Sequence, residues 1–285
     1  MPFASLPGLL LAVADLGQDG GSVLALGPGM TISPFPPPTD PFDIDEAMRR
    51  VTAAVAGYPL PSMFQLAEDG LGTPFQQLVA CVISIRTLEE VSLPVSRRLL
   101  GAAPDAAAMA ALDAAEIERL IHPSTFGDRK AAQIKAMAEA VVRDHGGELP
   151  CDGAVMQGFA GVGPKCSQLA LGIACGAPTI PVDIHVHRVA NRWGYVRTKT
   201  PEQTLTALET VLPMAYRPSI NRLVLPFGKY VCTGPAPKCP RCPLADMCPK
   251  VGVTTVSRAP LPRDVAGEDA SPASHSARLD DAQSR

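Results

Sequence analysis

No lysine or arginine precedes Arg49. The apolar run Leu9-Leu10-Leu11-Ala12-Val13-Ala14 therefore lacks the basic flank of a secretory leader. Nowhere in the 285 residues is there an uninterrupted apolar stretch long enough to span a bilayer, although 46% of the residues are hydrophobic. A membrane partner is accordingly not expected. Segments with strand character are few. Aromatics make up only 5% of the chain, with a single tryptophan. A strong positive balance is also missing. The net charge is −3, which by itself would not suggest a polyanionic partner. The regional distribution softens that reading. Residues 1–44 carry four aspartates and no basic residue, and residues 253–285 carry five acids against four arginines, so the middle of the chain is mildly basic. A local patch there can hold a phosphate backbone.

Composition divides the chain into a Gly/Pro-rich extension over 1–44, ending in Ser33-Pro34-Phe35-Pro36-Pro37-Pro38, a folded middle, and a polar tail over 253–285 that reads as disordered. The middle follows a helical period. Helices are expected at 45–56 with Asp43 or Asp45 as N-cap, from Thr73-Pro74 onward, and at 92–100, 106–111, 114–122 and 128–145. The fold class expected is all-α.

Eight cysteines are present, and four of them fall in one short stretch, Cys232, Cys239, Cys242 and Cys248, spaced C-x6-C-x2-C-x5-C. Proline follows each of the last three, which makes the segment a stiff loop. Such a set binds a metal centre or forms two disulfides. Zinc sites usually show two C-x2-C pairs, and this loop has one. A [4Fe-4S] cluster suits a single compact loop of four thiolates better, with zinc and then disulfides as the alternatives. The other four cysteines, Cys81, Cys151, Cys166 and Cys175, are scattered and read as small buried apolar residues of a reducing, cytoplasmic compartment.

Gly161-Val162-Gly163-Pro164-Lys165 reads as a turn between two helices, with Pro164 at a first helical position. Backbone amides at such a helix start hold anions, though a tight interhelical turn is the simpler reading. Downstream, Asp183 within Pro181-Val182-Asp183-Ile184-His185-Val186-His187-Arg188 is an N-cap or a placed carboxylate. His185 and His187, with no third ligand nearby, read as structural.

Taken together, the glycine turn, the Val182–Arg192 segment and the cysteine loop resemble the endonuclease III family of helix-hairpin-helix DNA glycosylases, over residues 45–250. Ser84-Ile85-Arg86-Thr87-Leu88-Glu89 is similar to that family's early S-x-Q-T motif. The resemblance implies two helical lobes around a DNA-binding cleft, one over 70–179 with the hairpin, the other joining 45–69 to 180–252 and holding the cluster. It implies that Lys165 is the nucleophile and Asp183 the catalytic aspartate of a bifunctional glycosylase/lyase acting, as a monomer, on duplex DNA with oxidised pyrimidines or abasic sites. Gly161, Val162, Gly163 and Arg188 would contact DNA. Arg86 stands in place of a plugging glutamine, and Phe126 near a leucine wedge. Basic residues of the cluster segment, Lys229, Lys238, Arg241 and Lys250, would face phosphates. Departures from the family pattern are Phe159-Ala160 for Leu-Pro, Pro164 for arginine, and Cys166-Ser167 for Thr-Ala. They leave open a divergent member that binds damaged DNA with little glycosylase activity.

Overall fold

The computed structural model describes residues 42–262, and within them every regular element is helical. Helix α1 (Ile44–Val55) begins at Asp43, whose carboxylate accepts from the Glu46 amide at 3.0 Å. Then come α2 (Ser62–Glu68), α3 (Pro74–Ser84), α4 (Glu89–Ala102), α5 (Ala106–Ala111), α6 (Ala114–Ile121) and α7 (Gly127–His145). The remaining helices are α8 (Gly153–Gln157), α9 (Pro164–Cys175), α10 (Ile184–Arg192), α11 (Pro201–Val211) and α12 (Ile220–Tyr230). Local chemistry explains the starts. Thr73 and Gln76 form a reciprocal capping box at α3, and Asp105, Asp113, Asp152, Asp183 and Thr200 cap α5, α6, α8, α10 and α11 through side-chain oxygens.

Two buried clusters divide the helices. The first gathers α2 to α9 around Leu78, Ile83, Leu99, Ile117, Ile134 and Met137. The second joins α1 to α10–α12 and the cysteine loop around Met48, Val186, Trp193, Val224 and Phe227. The apolar face of α3 is so fully enclosed that every residue from Phe75 to Ile83 is buried. That is why this helix forms the spine of the first lobe.

Four sequence expectations change here. Helix α2 was not foreseen, and its Met63 and Leu66 belong to the first cluster, so the chain changes lobe near residue 60 and not at 69. At the near end of the expected extension, Phe42 stacks on Trp193 with ring centroids 5.2 Å apart. The tail expectation fails at its start: Val253 and Leu261 are buried, and the Ser257 amide donates to Pro237. The rest of both end segments lies outside the described residues.

The fourth change concerns the scattered cysteines. Cys81 is bonded to Cys166, and Cys151 to Cys175, with Cα–Cα distances of 5.7 and 6.0 Å. Sequence separations of 85 and 24 hide these pairs from a linear reading. The first ties α3 to the start of α9, the second ties the start of α8 to the end of α9. The scattered cysteines are thus cross-links and not the lone buried thiols expected of a reducing compartment.

The Cys151–Cys175 loop closes 24 residues, worth roughly 3 kcal/mol in the chain-entropy account. Cys151→Ser is expected to lower the denaturation midpoint in oxidising buffer and to leave it unchanged in reducing buffer. An equal loss in both would contradict the cross-link.

Candidate functional site

The hairpin is built from α8 and α9. Asp152 accepts from the Ala154 and Val155 amides, and Gly158 ends the short helix. Val162 then plunges into the first core while Gly161 adopts φ +87°, a conformation that glycine tolerates and other residues resist. The close partner at that point is Gln133 of α7, whose side-chain nitrogen would lie 2.7 Å from any added Cβ. Gly163 caps α9 in extended backbone and would place a Cβ in open space. Pro164 occupies the first helical position, so Lys165 is the second residue of α9. The start of a helix left open in this way favours a negative ligand.

Lys165 and Asp183 line one open cleft, bounded also by Arg86, Glu89, His185 and Lys229. Lys165 comes from the hairpin lobe and Asp183 from the cluster lobe. Asp183 serves in both of its sequence readings at once: its Oδ1 caps α10 by accepting from the His185 and Val186 amides at 2.9 and 2.8 Å, and its carboxylate faces the cleft. Burial pushes the His185 imidazole down, and Arg188 donates to its Nδ1 at 3.2 Å, so His185 stands neutral beside Asp183. Gly228 of α12 makes room for that ring; a Cβ there would meet His185 at 2.8 Å.

Arg188 differs from its sequence expectation. It is half-buried, and its guanidinium donates to the carbonyls of Gly228 and Cys232, at 2.8 Å and 3.2 Å. It fastens α10 to α12 and to the cysteine loop. Three of the cations expected to face phosphates are likewise held within the protein. Lys238 donates to Pro260, Lys250 to Ala245 and Cys248, and Lys229 to Glu89 and Glu90 across the two lobes. The Lys229 ammonium holds the Glu90 carboxyl below the usual carboxylate range.

Beside the cleft, Arg86 and Phe126 line an adjoining hollow from separate loops, both with positive φ, 54° and 57°. For non-glycine residues this is strained backbone of the kind found where function fixes a side chain. The Arg86 guanidinium lies over the Phe126 ring, 6.0 Å from its centroid. Phe126 is 51% exposed, and Ile85, Leu88 and Ile184 add exposed apolar surface along the cleft itself.

Cys232, Cys239, Cys242 and Cys248 line one half-enclosed hollow and are not bonded to one another. Among the described residues no group of three or more Cys, His, Asp or Glu converges as it would on a single ion. The thiols ring a space and not a point. Burial pushes Cys242 up to about 12 and Cys248 up to about 11, so free thiolates are disfavoured there without positive charge inside the ring. Arg192 donates to the Cys232 sulfur at 3.5 Å and to the carbonyls of Thr233 and Gly234.

A helical hairpin whose second helix opens on a lysine, set against a carboxylate across an inter-lobe cleft, places the chain in a class of DNA-repair folds. Residues 79–214 match the model of the HhH-GPD superfamily of base excision DNA repair proteins. The chain is 32% identical over 175 residues to endonuclease III of Thermotoga maritima, covering 61% of this chain and 82% of that protein. It is 33% identical over 178 residues to the endonuclease III-like protein 1 of Mus musculus, covering 61% of this chain and 59% of that protein. Among solved structures, a trapped endonuclease III–DNA covalent intermediate superposes with a TM-score of 0.62 at 24% identity, over 72% of this chain and 93% of the other. A thermostable thymine-DNA glycosylase superposes at 0.63 with 19% identity, over 72% and 94%. The chain belongs to the endonuclease III family.

Sequence reasoning missed the Lys229–Glu89–Glu90 bridge, whose partners lie some 140 residues apart with no local signal. It also missed the buried Lys130. A lysine in an amphipathic helix gives no hint of burial until α3 and α7 are packed.

Gly161→Ala and Gly163→Ala separate conformation from contact. The first is expected to cost about 1–3 kcal/mol of stability because of its φ and the Gln133 side chain. The second is expected to change stability by less than about 0.5 kcal/mol and yet weaken duplex binding. Equal destabilisation by both variants, or full binding by Gly163→Ala, would contradict this account of the turn.

Proposed function

We propose that this protein is a DNA glycosylase/AP lyase that removes oxidised pyrimidines from duplex DNA and then nicks the strand. The observation that carries the reading is the meeting of Lys165 and Asp183 on one cleft from two different lobes. A neutral Lys165 amine attacks C1′ of the damaged nucleotide, the C1′–N bond breaks, and the base leaves with a proton. The sugar develops positive charge as that bond stretches, and the Asp183 carboxylate stabilises it. The amine, now bonded to C1′, opens the sugar to a Schiff base. Loss of a C2′ proton then expels the 3′ phosphate by β-elimination.

A base in the stack is out of reach of this amine, so the nucleotide must leave the helix first. Arg86 and Phe126, exposed and strained together beside the cleft, are suited to fill the gap it leaves. A guanidinium can pair with or stack on the orphaned base, which a shorter amide does differently. Gly161, Val162 and Gly163 would shape the turn that meets the phosphate backbone.

The family departures find structural explanations that leave the lysine alone. Pro164 starts α9, Cys166 bonds to Cys81, and the Ser167 hydroxyl donates to the Pro164 carbonyl at 3.0 Å.

The four-cysteine ring fits a [4Fe-4S] cluster: four unbonded thiols, carried on one compact loop, line a single hollow. Bound there, the group supplies iron–thiolate bonds that cross-link the loop. Arg188 and Arg192, donating to carbonyls of the loop's first turn, hold that loop against α10.

Incubated with borohydride, the protein is expected to form covalent complexes with duplexes carrying either thymine glycol or an abasic site, both lost in Lys165→Ala. Complexes on the abasic duplex alone would leave a lyase without this glycosylase activity, and complexes on neither would leave a binding protein. Cys239→Ser is expected to abolish visible absorption and lower the melting temperature; unchanged colour and melting would contradict the cluster.

A further inference from the structure

Lys130 sits in the first turn of α7 and is only 3% exposed, yet among the described residues no carboxylate forms an ion pair with its ammonium. Instead Nζ donates to three oxygens: the Ile83 carbonyl at 2.6 Å, Thr87 Oγ1 at 2.8 Å and Ser124 Oγ at 3.0 Å. Three donors thus meet three acceptors. Those acceptors belong to three different pieces of chain. Ile83 lies in the last turn of α3, where carbonyls have no intrahelical partner and the helix dipole is negative. Thr87 immediately follows Arg86. Ser124 lies two residues before Phe126. Thr87 Oγ1 in addition accepts from the Thr125 amide at 3.2 Å, which couples the two loops directly.

Burying an unpaired charge is costly, and a methionine would fill the same volume at less expense. Burial pushes the amine down to about 8, which reflects that cost. What the ammonium provides and an apolar chain does not is a three-way junction. Both strained residues, Arg86 and Phe126, lie on segments that meet at it, while Arg98 of α4 holds the start of the second segment at the Leu120 and His122 carbonyls.

We propose that Lys130 is a positioning residue that fastens the Arg86 loop and the Phe126 loop to the end of α3, so that the two side chains enter the duplex as one rigid wedge. The inference rests on the reading that Arg86 and Phe126 fill the gap in the stack. It makes Lys130 important for opening the duplex and unimportant for the chemistry at Lys165.

The test uses the full chain and a duplex with 2-aminopurine opposite a tetrahydrofuran abasic analogue. Wild-type protein is expected to change the 2-aminopurine fluorescence on binding, as the wedge disturbs the opposite base. In Lys130→Met that change is expected to fall severalfold, while borohydride trapping on single-stranded abasic DNA, which needs no unstacking, stays within about twofold. Thr87→Val, a milder loss of the same junction, is expected to act in the same direction and guards against misfolding of the first variant. Arg86→Ala/Phe126→Ala is expected to abolish the change, and adding Lys130→Met to it is expected to do nothing more. Should the double variant keep the wild-type signal, the wedge reading itself fails. Should it lose the signal while Lys130→Met and Thr87→Val keep it, only the positioning role fails. Equal losses by Lys130→Met in fluorescence and in single-strand trapping would also overturn that role, because they would mark a general structural defect.

Discussion

Helix α9 lies against α3 along the buried face of the first lobe, with Cys166 bonded to Cys81 and Leu169 and Ala170 enclosed in the same core. That contact fixes the two ends of the site at once. The start of α9 carries Lys165, and the end of α3 leads into the Arg86 loop. Any slide of one helix past the other would change the distance between Lys165 and the residues proposed to fill the stack. The second cross-link, Cys151–Cys175, holds the far end of α9 to the hairpin's first helix. The lysine is therefore mounted on a helix secured at both ends, which suits a reaction that depends on positioning.

The cluster lobe contributes the other half of the cleft through α10, and its order descends from the cysteine loop. Arg188 and Arg192 reach from α10 to carbonyls at Cys232, Thr233 and Gly234, so the loop and the helix that Asp183 caps are one unit. Whatever stiffens the loop thereby steadies the carboxylate. Lys229, bridging to Glu89 and Glu90, joins this unit to the first lobe beside the cleft. Arg188, Arg192, Lys229, Lys238 and Lys250 of this lobe all donate within the protein, and the duplex face we propose lies around the hairpin turn and Arg86.

Much of this was legible in the sequence because it is local. The Asp43 cap, the Thr73-Pro74 start and the Pro164 start lie within a residue or two of the helix ends they define. The four-cysteine spacing and the order of motifs pointed to the family before any packing was known. What escaped was long-range. The pairing of Cys81 with Cys166, the burial of Lys130 and the internal use of Arg188 all depend on which helices meet. Helix α12 contains Pro226 and Gly228, residues that argue against a helix locally; tertiary packing against α10 and the need to seat His185 override them.

The most direct test of the central claim is to digest the borohydride-reduced complex with abasic duplex and locate the sugar remnant by mass spectrometry. The account predicts that it sits on the Lys165 side chain alone. A remnant on another amine, Lys130 included, would contradict the assignment of Lys165 as nucleophile and with it the reading of the cleft.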